Sequence, residues 1–455
     1  MTDDDHKQLN PRADDGWFER LCAWADKFDI PEAVLPRDKA ELLVLQKLVL
    51  FRKHFALLPA EIGQLVNLQE LILFLGNLTE LPAEIRQLNN LQKLDLTGNR
   101  LNTLPATIGQ LSNLHKLSLG DNQLVILPVA IGQLGNLQEL DLSDNQLTAL
   151  PATIGKLGNL QVLNLRKNKL TTLPAGIGQL GNLQKLNLSC NQLTTLPASI
   201  DQLGNLQELW LSRNELTALP AAITKLRNLQ EISIDGHLLL ELIDMAPHLP
   251  KLKSLRLRNL TTLPAKSGQL IKLQILNLSK NQLTALPAEI GQLGNLQKLD
   301  LSGNKLSTLP DTIGQLGNLQ ELDLSGNKLT TLPTEIGQLI KLQTLDLSKN
   351  QLTALPAEIG QLGNLQKLDL SGNKLTTLPD TIGQLDNLQE LDLSGNKLTT
   401  LPESMDQLRN LQIINLRDNM LGYILDILPN SIQRLYHKRN GALEIWLNDP
   451  VAEVR

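Results

Sequence analysis

The chain has 455 residues, of which 20% are charged and only 2% are aromatic, and its formal net charge is −5. This acidic balance argues against a nucleic acid partner, because binding to phosphates favours a basic surface. The two cysteines, Cys22 and Cys190, offer no disulfide framework, and the sequence contains no run of 18 or more apolar residues. We therefore expect a cytoplasmic chain without a membrane span.

The N-terminal stretch predicts a lead-in and then a helical cap. Residues 1–15 are acidic and polar, which predicts disorder and is the opposite of a secretory signal. Four large apolar residues then recur at helical spacing: Trp17, Leu21, Trp24 and Phe28. We expect Asp14 or Asp15 to cap this helix and Asp38 to cap a second one. Residues 16–44 would cover the open end of the segment that begins at Leu45, and a docking helix for a partner is the alternative.

A unit of 23 residues recurs seventeen times between Leu45 and Leu421. Residues 296–314, LQKLDLSGNKLSTLPDTIG, show its pattern, L-x-x-L-x-L-x-x-N-x-L and then Leu-Pro. The period of two indicates a short strand with one buried face, and the proline starts a tight return segment. One unit cannot bury its own leucines, so each needs a neighbour. The sequence predicts an α/β repeat solenoid with stacked parallel strands.

An asparagine occupies the same position in thirteen repeats. These residues are Asn99, Asn122, Asn145, Asn168, Asn191, Asn214, Asn281, Asn304, Asn327, Asn350, Asn373, Asn396 and Asn419. Because an amide both donates and accepts, we predict that they satisfy buried backbone groups of adjacent turns. His237 occupies this position in one repeat, and we expect it to replace the amide.

The repeat is irregular at one internal place and ends near Leu421. The step from Leu252 to Leu273 is 21 residues, and the repeat from Leu229 lacks the usual Leu-Pro. We expect a junction at residues 235–260, in which ELIDMA forms a helical turn on the convex side and the stack continues. Residues 422–455 are expected to form a C-terminal cap.

The unit LPAEIGQLGNLQKLDLSGNKLT at residues 355–376 resembles the 23-residue repeat of intracellular leucine-rich repeat proteins. That family includes bacterial proteins and Ras-group-related scaffolds with the consensus LPxxIGxLxNLxxLxLxxNxL. The resemblance implies a leucine-rich repeat horseshoe with a concave parallel β-sheet and convex 3-10 or loop segments. It also implies a protein or peptide ligand on the concave face, without catalysis, cofactor or metal. A G-x-x-x-x-G-K-[ST] loop is lacking in the sequence.

One tryptophan lies outside the predicted caps, at a strand position that faces the solvent. Exposed tryptophan near arginine is typical of interface hot spots. The predicted partner-binding residues are Trp210, Arg213, Arg166, Asn187, Ser233 and Arg256. Two alternatives are a stray exposed apolar residue and a ring that stacks on Arg256 through a cation–π contact.

The same strand position holds a series of aspartates near the C-terminus. These are Asp300, Asp323, Asp346, Asp369 and Asp392. We expect a solvated face in which nearby lysines such as Lys298 and Lys367 offset the repulsion. A site for a basic partner or a divalent cation is the alternative.

The first two strands are apolar on the outward side, at Val49, Phe51, Ile72, Phe74 and Leu75. Because large exposed apolar patches are unusual in monomers, we expect the N-terminal segment to cover these residues. A second docking surface is the alternative.

These patterns predict a monomeric, non-enzymatic scaffold for protein–protein interaction. A secreted bacterial effector that binds a host protein is the first alternative. The second is an enzyme with its activity in the junction or the C-terminal cap, although no cluster of acid, base and nucleophile supports it.

Overall fold

The computed structural model describes residues 16–422, 428–439 and 442–447. The predicted lead-in at residues 1–15 and parts of the predicted C-terminal cap lie outside these residues. Within them, the protein is a leucine-rich repeat solenoid of short parallel strands and 3-10 turns, as the sequence predicts.

The described residues contain three α-helices: α1 (Trp17–Lys27) and α2 (Lys39–Leu43) before the repeats, and α3 (Leu239–Met245) among them. Gly16 is the N-cap residue of α1, and the predicted caps Asp14 and Asp15 lie outside the described residues. Asp38 does cap α2, since its Oδ1 accepts the backbone N–H of Glu41 at 2.9 Å. The helical turn predicted for ELIDMA is confirmed as part of α3.

The described residues form nineteen strands, numbered β1 to β19 along the chain. Their bounds are Lys47–Phe51, Glu70–Phe74, Lys93–Asp95, Lys116–Ser118, Glu139–Asp141, Val162–Asn164, Lys185–Asn187, Glu208–Trp210, Glu231–Asp235, Ser254–Arg258, Ile275–Asn277, Lys298–Asp300, Glu321–Asp323, Thr344–Asp346, Lys367–Asp369, Glu390–Asp392, Ile413–Asn415, Arg434–Arg439 and Ala442–Leu447. The leucine inside each short strand is buried, which leaves its flanking residues on the other face.

Register within the sheet follows the repeat length. Lys298 of β12 pairs with Glu321 of β13, an offset of 23 residues. Ser254 of β10 pairs with Ile275 of β11, an offset of 21, so the shortened repeat is confirmed. At the C-terminal end β18 runs parallel to β17, and β19 runs antiparallel to β18.

A five-residue 3-10 turn comes after the Leu-Pro of most repeats. These turns are Ala60–Gln64, Ala83–Gln87, Ala106–Gln110, Val129–Gln133, Ala152–Lys156, Ala175–Gln179, Ala198–Gln202, Ala221–Lys225, Ala265–Gln269, Ala288–Gln292, Asp311–Gln315, Thr334–Gln338, Ala357–Gln361, Asp380–Gln384 and Glu403–Gln407. The preceding proline has φ near −68°, which the pyrrolidine ring fixes. Two three-residue 3-10 turns, Gly236–Leu238 and Ala246–His248, flank α3 instead.

The chain divides into two compact units. The first contains the described residues up to Glu208 together with Asn214–Leu226. The second contains Leu209–Arg213 and the described residues from Arg227 onward. In both units, layers of leucine from successive repeats bury one another.

The N-terminal helix of the first unit packs on the first repeat. Trp24 of α1 and Phe28, which directly follows the helix, pack against Phe55, with ring centroids 5.0 and 5.6 Å away. The ammonium group of Lys53 also donates to the carbonyl of Phe28 at 3.1 Å. These contacts bury Phe55 to 3% exposure and form the predicted helical cap.

The described part of the cap does not cover the apolar face of β1 and β2. Phe51 is 52% exposed, and Val49 is 39% exposed. Phe51 stacks on Phe74 at 5.7 Å, and the guanidinium of Arg52 lies 5.0 Å from the Phe51 ring. The prediction that the N-terminal segment covers this face is therefore wrong for residues 16–44.

The repeated asparagine forms the predicted ladder. Asn327 is typical: its Oδ1 accepts the N–H of Leu306 at 3.0 Å, and its Nδ2 donates to the carbonyls of Leu301 and Leu324 at 3.0 and 2.9 Å. At 6% exposure, Asn327 satisfies backbone groups that water cannot reach. We call this series the inner ladder.

That His237 replaces the amide at its ladder position stays a prediction. His237 is exposed within a 3-10 turn, and the buried residue is Asp235, at 4% exposure. Asp235 Oδ2 accepts the backbone N–H of Arg213, and its Oδ1 accepts from Nδ2 of Asn259, each at 2.8 Å. A carboxylate two residues earlier therefore satisfies donors here, because β9 continues two residues beyond the usual strand end.

Candidate functional site

Trp210 lies on the outward face of its strand. Its neighbours Leu209 and Leu211 are buried in the leucine layers, so alternation places the indole on the opposite side. The ring is half-buried, and its N–H donates to Glu231 Oε1 at 2.9 Å. The indole is thus held in one orientation with part of its surface open to solvent.

Arg256 and Ser233 are register partners on β10 and β9, but only Arg256 reaches the surface. Ser233 is 1% exposed, and its hydroxyl lies 3.1 Å from that of Ser212. The prediction that Ser233 contacts a partner is therefore wrong, because its side chain is enclosed. Arg256 is half-buried, and among the described residues its Nε has no hydrogen-bond partner.

Arg213 comes after the strand of Trp210, in a left-handed conformation. Its φ is +60°, and its side chain is exposed. The bond from its backbone N–H to Asp235 fixes the main chain at this turn. Trp210, Arg213 and Arg256, together with Glu231, form what we call the Trp210 cluster of the second unit.

The other two predicted residues belong to the first unit. Arg166 is exposed, and its Nη1 lies 3.5 Å from Asp144 Oδ2. Asn187 is half-buried, and its Oδ1 accepts from the N–H and the hydroxyl of Ser189 at 3.0 and 2.6 Å. Asn187 therefore stabilises its own turn, and Arg166 is engaged with a neighbouring carboxylate.

Glu231 is the member of this site that sequence reasoning missed. It lies two residues before Ser233 on β9, and alternation along a strand places such residues on the same face. That spacing was the available signal, but the bond from Trp210 to Glu231 runs diagonally between strands. A diagonal contact depends on side-chain orientation as well as on register.

The aspartate series is tied into the backbone. Asp323 Oδ1 accepts from the N–H and the hydroxyl of Ser325 at 2.9 and 2.6 Å, and equivalent backbone bonds recur at the other four aspartates. Asn277 and Asn415 close the two ends by donating to Oδ2 of Asp300 and Asp392, each at 2.8 Å. Burial, reinforced by repulsion from Asp346 and Asp392, raises the pKa of Asp369.

Lysines offset part of this charge, because the pKa of Lys367 is raised first by its bond to Glu390 and also by Asp369 and Asp346. Lys298 pairs with Glu321 at 2.6 Å, and Lys367 pairs with Glu390 at 2.7 Å. Each pair lies two residues before the aspartates along its strands. Over the residues that the structure describes, no group of three or more His, Cys, Asp or Glu side chains could hold a metal ion.

A second asparagine series, which we call the outer ladder, lies in the segment before each strand. Asn318 is typical, since its Nδ2 donates to the carbonyl of Gly294 at 2.7 Å. The same bond is made by Asn67, Asn90, Asn113, Asn136, Asn159, Asn182, Asn205, Asn295, Asn364, Asn387 and Asn410. Lysines replace the asparagine in two consecutive repeats, at Lys251 and Lys272, and in one isolated repeat, at Lys341.

Comparisons with known proteins identify the repeats. The description "Leucine-rich repeat region" matches residues 60–144 and 151–267, and "Leucine rich repeat" matches overlapping segments from 250 to 421. A leucine-rich repeat protein of Leptospira interrogans is 43% identical over 87% of this chain and 98% of that chain, with a TM-score of 0.66. This chain belongs to the leucine-rich repeat family. None of the curated proteins matches it.

Two further solved structures resemble this leucine-rich repeat protein. One is the ectodomain of the plant membrane receptor kinase GASSHO1/SCHENGEN3 from Arabidopsis thaliana, in complex with CASPARIAN STRIP INTEGRITY FACTOR 2. It is 30% identical with a TM-score of 0.50, and the match covers 84% of this chain and 55% of that chain. The other is a TLR13–ssRNA13 complex, 26% identical with a TM-score of 0.63, covering 86% of this chain and 66% of that chain.

Leucine-rich repeat folds generally mediate protein–protein interaction and are typically non-enzymatic. Among the residues that the structure describes, no helix combines the length and the apolar character needed to cross a membrane.

Proposed function

We propose that this leucine-rich repeat protein is a non-enzymatic scaffold that binds a protein or peptide through the outward face of its sheet, at the Trp210 cluster. The observation that carries the proposal is the half-exposed indole held by Glu231, with Arg213 three residues later in the chain and Arg256 two strands away. Tryptophan and arginine are the residues most enriched among binding hot spots.

The bond that anchors the Trp210 indole favours binding, because it lowers the entropic cost of ordering that side chain. The bond to Glu231 fixes the indole before a partner arrives, so less rotamer freedom is lost on association. Arg256 adds a half-buried guanidinium, and Arg213 adds an exposed one. An apolar side chain next to a carboxylate on the partner would complement both features.

The charge distribution supports a protein rather than a nucleic acid. The chain has a net charge of −5, and the aspartate series from Asp300 to Asp392 lies on the outward face of the second unit's strands. A phosphate backbone would be repelled there. The RNA in the TLR13 complex is a property of that protein.

We also propose a cytoplasmic location, a monomeric state and the domain division expected from the sequence. Cys22 and Cys190 are free, which suits a reducing compartment. A secreted effector that binds a host protein would use the same surface. Export of the full chain by bacterial cells, followed with an epitope tag, would favour the effector.

The test uses peptides selected from a random display library on the immobilised full chain. Affinities of the selected peptides are then measured by fluorescence anisotropy for the wild type and for Trp210→Ala. We expect Trp210→Ala to weaken binding by about 30-fold, the effect of a hot spot of about 2 kcal/mol.

The matched control is Ile340→Ala, which removes an apolar side chain that is 59% exposed in the segment before β14. This variant should bind the peptides as the wild type does. Equal binding by Trp210→Ala and the wild type would reject the proposed site.

A further inference from the structure

An apolar cavity opens where the repeat is irregular. It has a volume of about 310 Å³ and lies between the end of α3 and the segment after the 3-10 turn Ala265–Gln269. Its lining is mainly aliphatic: Ile243, Ala246, Pro247, Leu249, Leu252 and residues 269–273. Cavities of this size and character are typical of small-molecule sites.

The cavity arises from the sequence of this repeat. In regular repeats one 3-10 turn packs against the next, but here α3 packs against the turn Ala265–Gln269. That turn has Ser267 where most others have a buried isoleucine. Here a helix takes the place of a short turn, and the next repeat is two residues shorter. The surfaces of α3 and of the following turn therefore do not match, and a cavity is left between them.

The mouth of the cavity exposes apolar surface. Ile271 lines it and is 54% exposed, at a position where most repeats have glycine or a polar residue. Pro247 also lines it and is exposed. Exposed apolar surface that continues into a cavity indicates an occupant.

A basic groove adjoins the apolar cavity. Its lining includes Lys251, Lys253 and Lys272, and it shares Leu252 and Lys272 with the cavity. The other residues that line it are neutral: Gln230, Pro250, Gln274 and Asn295. Lys251 and Lys272 replace the outer-ladder asparagine in consecutive repeats, which places both side chains along one groove. The ammonium group of Lys251 also donates to Asn228 Oδ1 at 2.7 Å.

We propose that the cavity and the groove together bind a small amphipathic anion, with an acyl chain in the cavity and a carboxylate at the lysines. The aliphatic lining accommodates the chain, and ammonium groups provide donors and positive charge for the carboxylate. The site lies among α3 and the 3-10 turns of the second unit, so the proposal does not depend on the Trp210 cluster.

The charge component is tested by calorimetric titration of the full chain with decanoate below its micelle concentration, and with decanol as the uncharged probe. We expect saturable decanoate binding and at least tenfold weaker binding of decanol. Lys272→Gln should weaken decanoate binding about tenfold and leave decanol binding unchanged. Lys280→Gln, at an exposed lysine after β11, is the matched control and should change neither.

The cavity component is tested by Ile271→Gln and Ala246→Phe. Ile271→Gln changes an exposed side chain, so the fold is retained, and decanoate binding should weaken at least fivefold. Ala246→Phe fills the cavity and should abolish binding while the thermal unfolding transition persists. Absence of saturable decanoate binding to the wild type, or binding that neither Lys272→Gln nor Ile271→Gln weakens, would overturn the proposal.

A second copy of the chain is the competing occupant of this surface. Light scattering over a range of protein concentrations should show a monomer with and without decanoate. A dimer that Ile271→Gln dissociates would show that the groove belongs to a self-interface, and would overturn the ligand proposal.

Discussion

The repeats from Leu296 to Asn410 and the segment from Leu229 to Leu273 derive from one pattern but differ in how they meet their polar requirements. In the regular repeats each strand has three residues, and the inner ladder satisfies the buried backbone. The outward aspartates accept bonds from their own turns, as Asp323 does from Ser325.

The irregular segment differs from the regular repeats in strand length, in its turn and in its polar residues. Its strands β9 and β10 have five residues each, and the buried carboxylate of Asp235 accepts the backbone N–H of Arg213. An α-helix replaces the 3-10 turn, and lysines replace the outer asparagines. Both proposed sites involve this segment, through Glu231 and Arg256 on one face and through the cavity on the other. The consensus residues maintain the stack, and both proposals assign recognition to departures from the consensus.

We expect the largest difference in stability between variants of the two regions at the inner ladder. Asn327→Leu removes the partners of the Leu306 N–H and of two buried carbonyls, which should lower the free energy of unfolding by about 1–3 kcal/mol. His248→Leu, in the irregular segment, changes an exposed residue and should cost about 0.5 kcal/mol or less. Urea unfolding measures both, and equal losses would contradict the assignment of the ladder.

The same serine substitution should have opposite signs in the two regions. Ser267 is 3% exposed, and its hydroxyl has no hydrogen-bond partner among the described residues. Ser267→Ala removes that unsatisfied group and should stabilise the protein by about 1 kcal/mol. Ser325→Ala loses the bond to Asp323 and should destabilise it by about 0.5 kcal/mol. Thermal unfolding of the two variants tests the contrast, which fails if both shifts have the same sign.

The smallest effect concerns pH. Because the folded pKa of Asp369 is raised, its carboxyl binds protons more readily in the folded chain, so its contribution to stability falls as pH rises through and above the ordinary aspartate range. Asp369→Asn should therefore be more stable than the wild type at pH 7, by roughly 0.5 kcal/mol after solvent screening. The advantage should vanish toward pH 3.

Asp300→Asn is the matched variant for this test. Asn277 donates to Asp300 Oδ2, so an amide placed there would bring two donors together and destabilise the chain. Unfolding free energies of both variants at pH 3, 5 and 7 provide the comparison. If the difference in unfolding free energy between Asp369→Asn and the wild type did not change with pH, repulsion and burial would be unimportant at this carboxyl.

Much of this fold could be predicted from the sequence because the same local pattern recurs in successive repeats. The spacing of leucines specifies the strands, and the asparagine at the turn specifies the inner ladder. The two-residue deletion before Leu273 and the helix in ELIDMA were also visible. Each of these features depends on contacts between residues at fixed separations in the chain.

The candidate site was less predictable because it depends on residues that depart from the repeat consensus. Trp210 could be placed on the outward face, but its bond to Glu231 and the burial of Ser233 depend on how β9 extends. The bond from Arg213 to Asp235 was missed because it depends on the same extension of β9. The cavity beside α3 depends on packing between two segments that share no repeat register.

Hydrogen exchange of the full chain, with and without a peptide selected on it, tests the central claim most directly. Binding at the Trp210 cluster should slow exchange in residues 208–213, 229–235 and 254–258, and leave residues 296–410 unchanged. Slower exchange confined to residues 296–410 would contradict the claim, because the regular repeats would then be the binding surface.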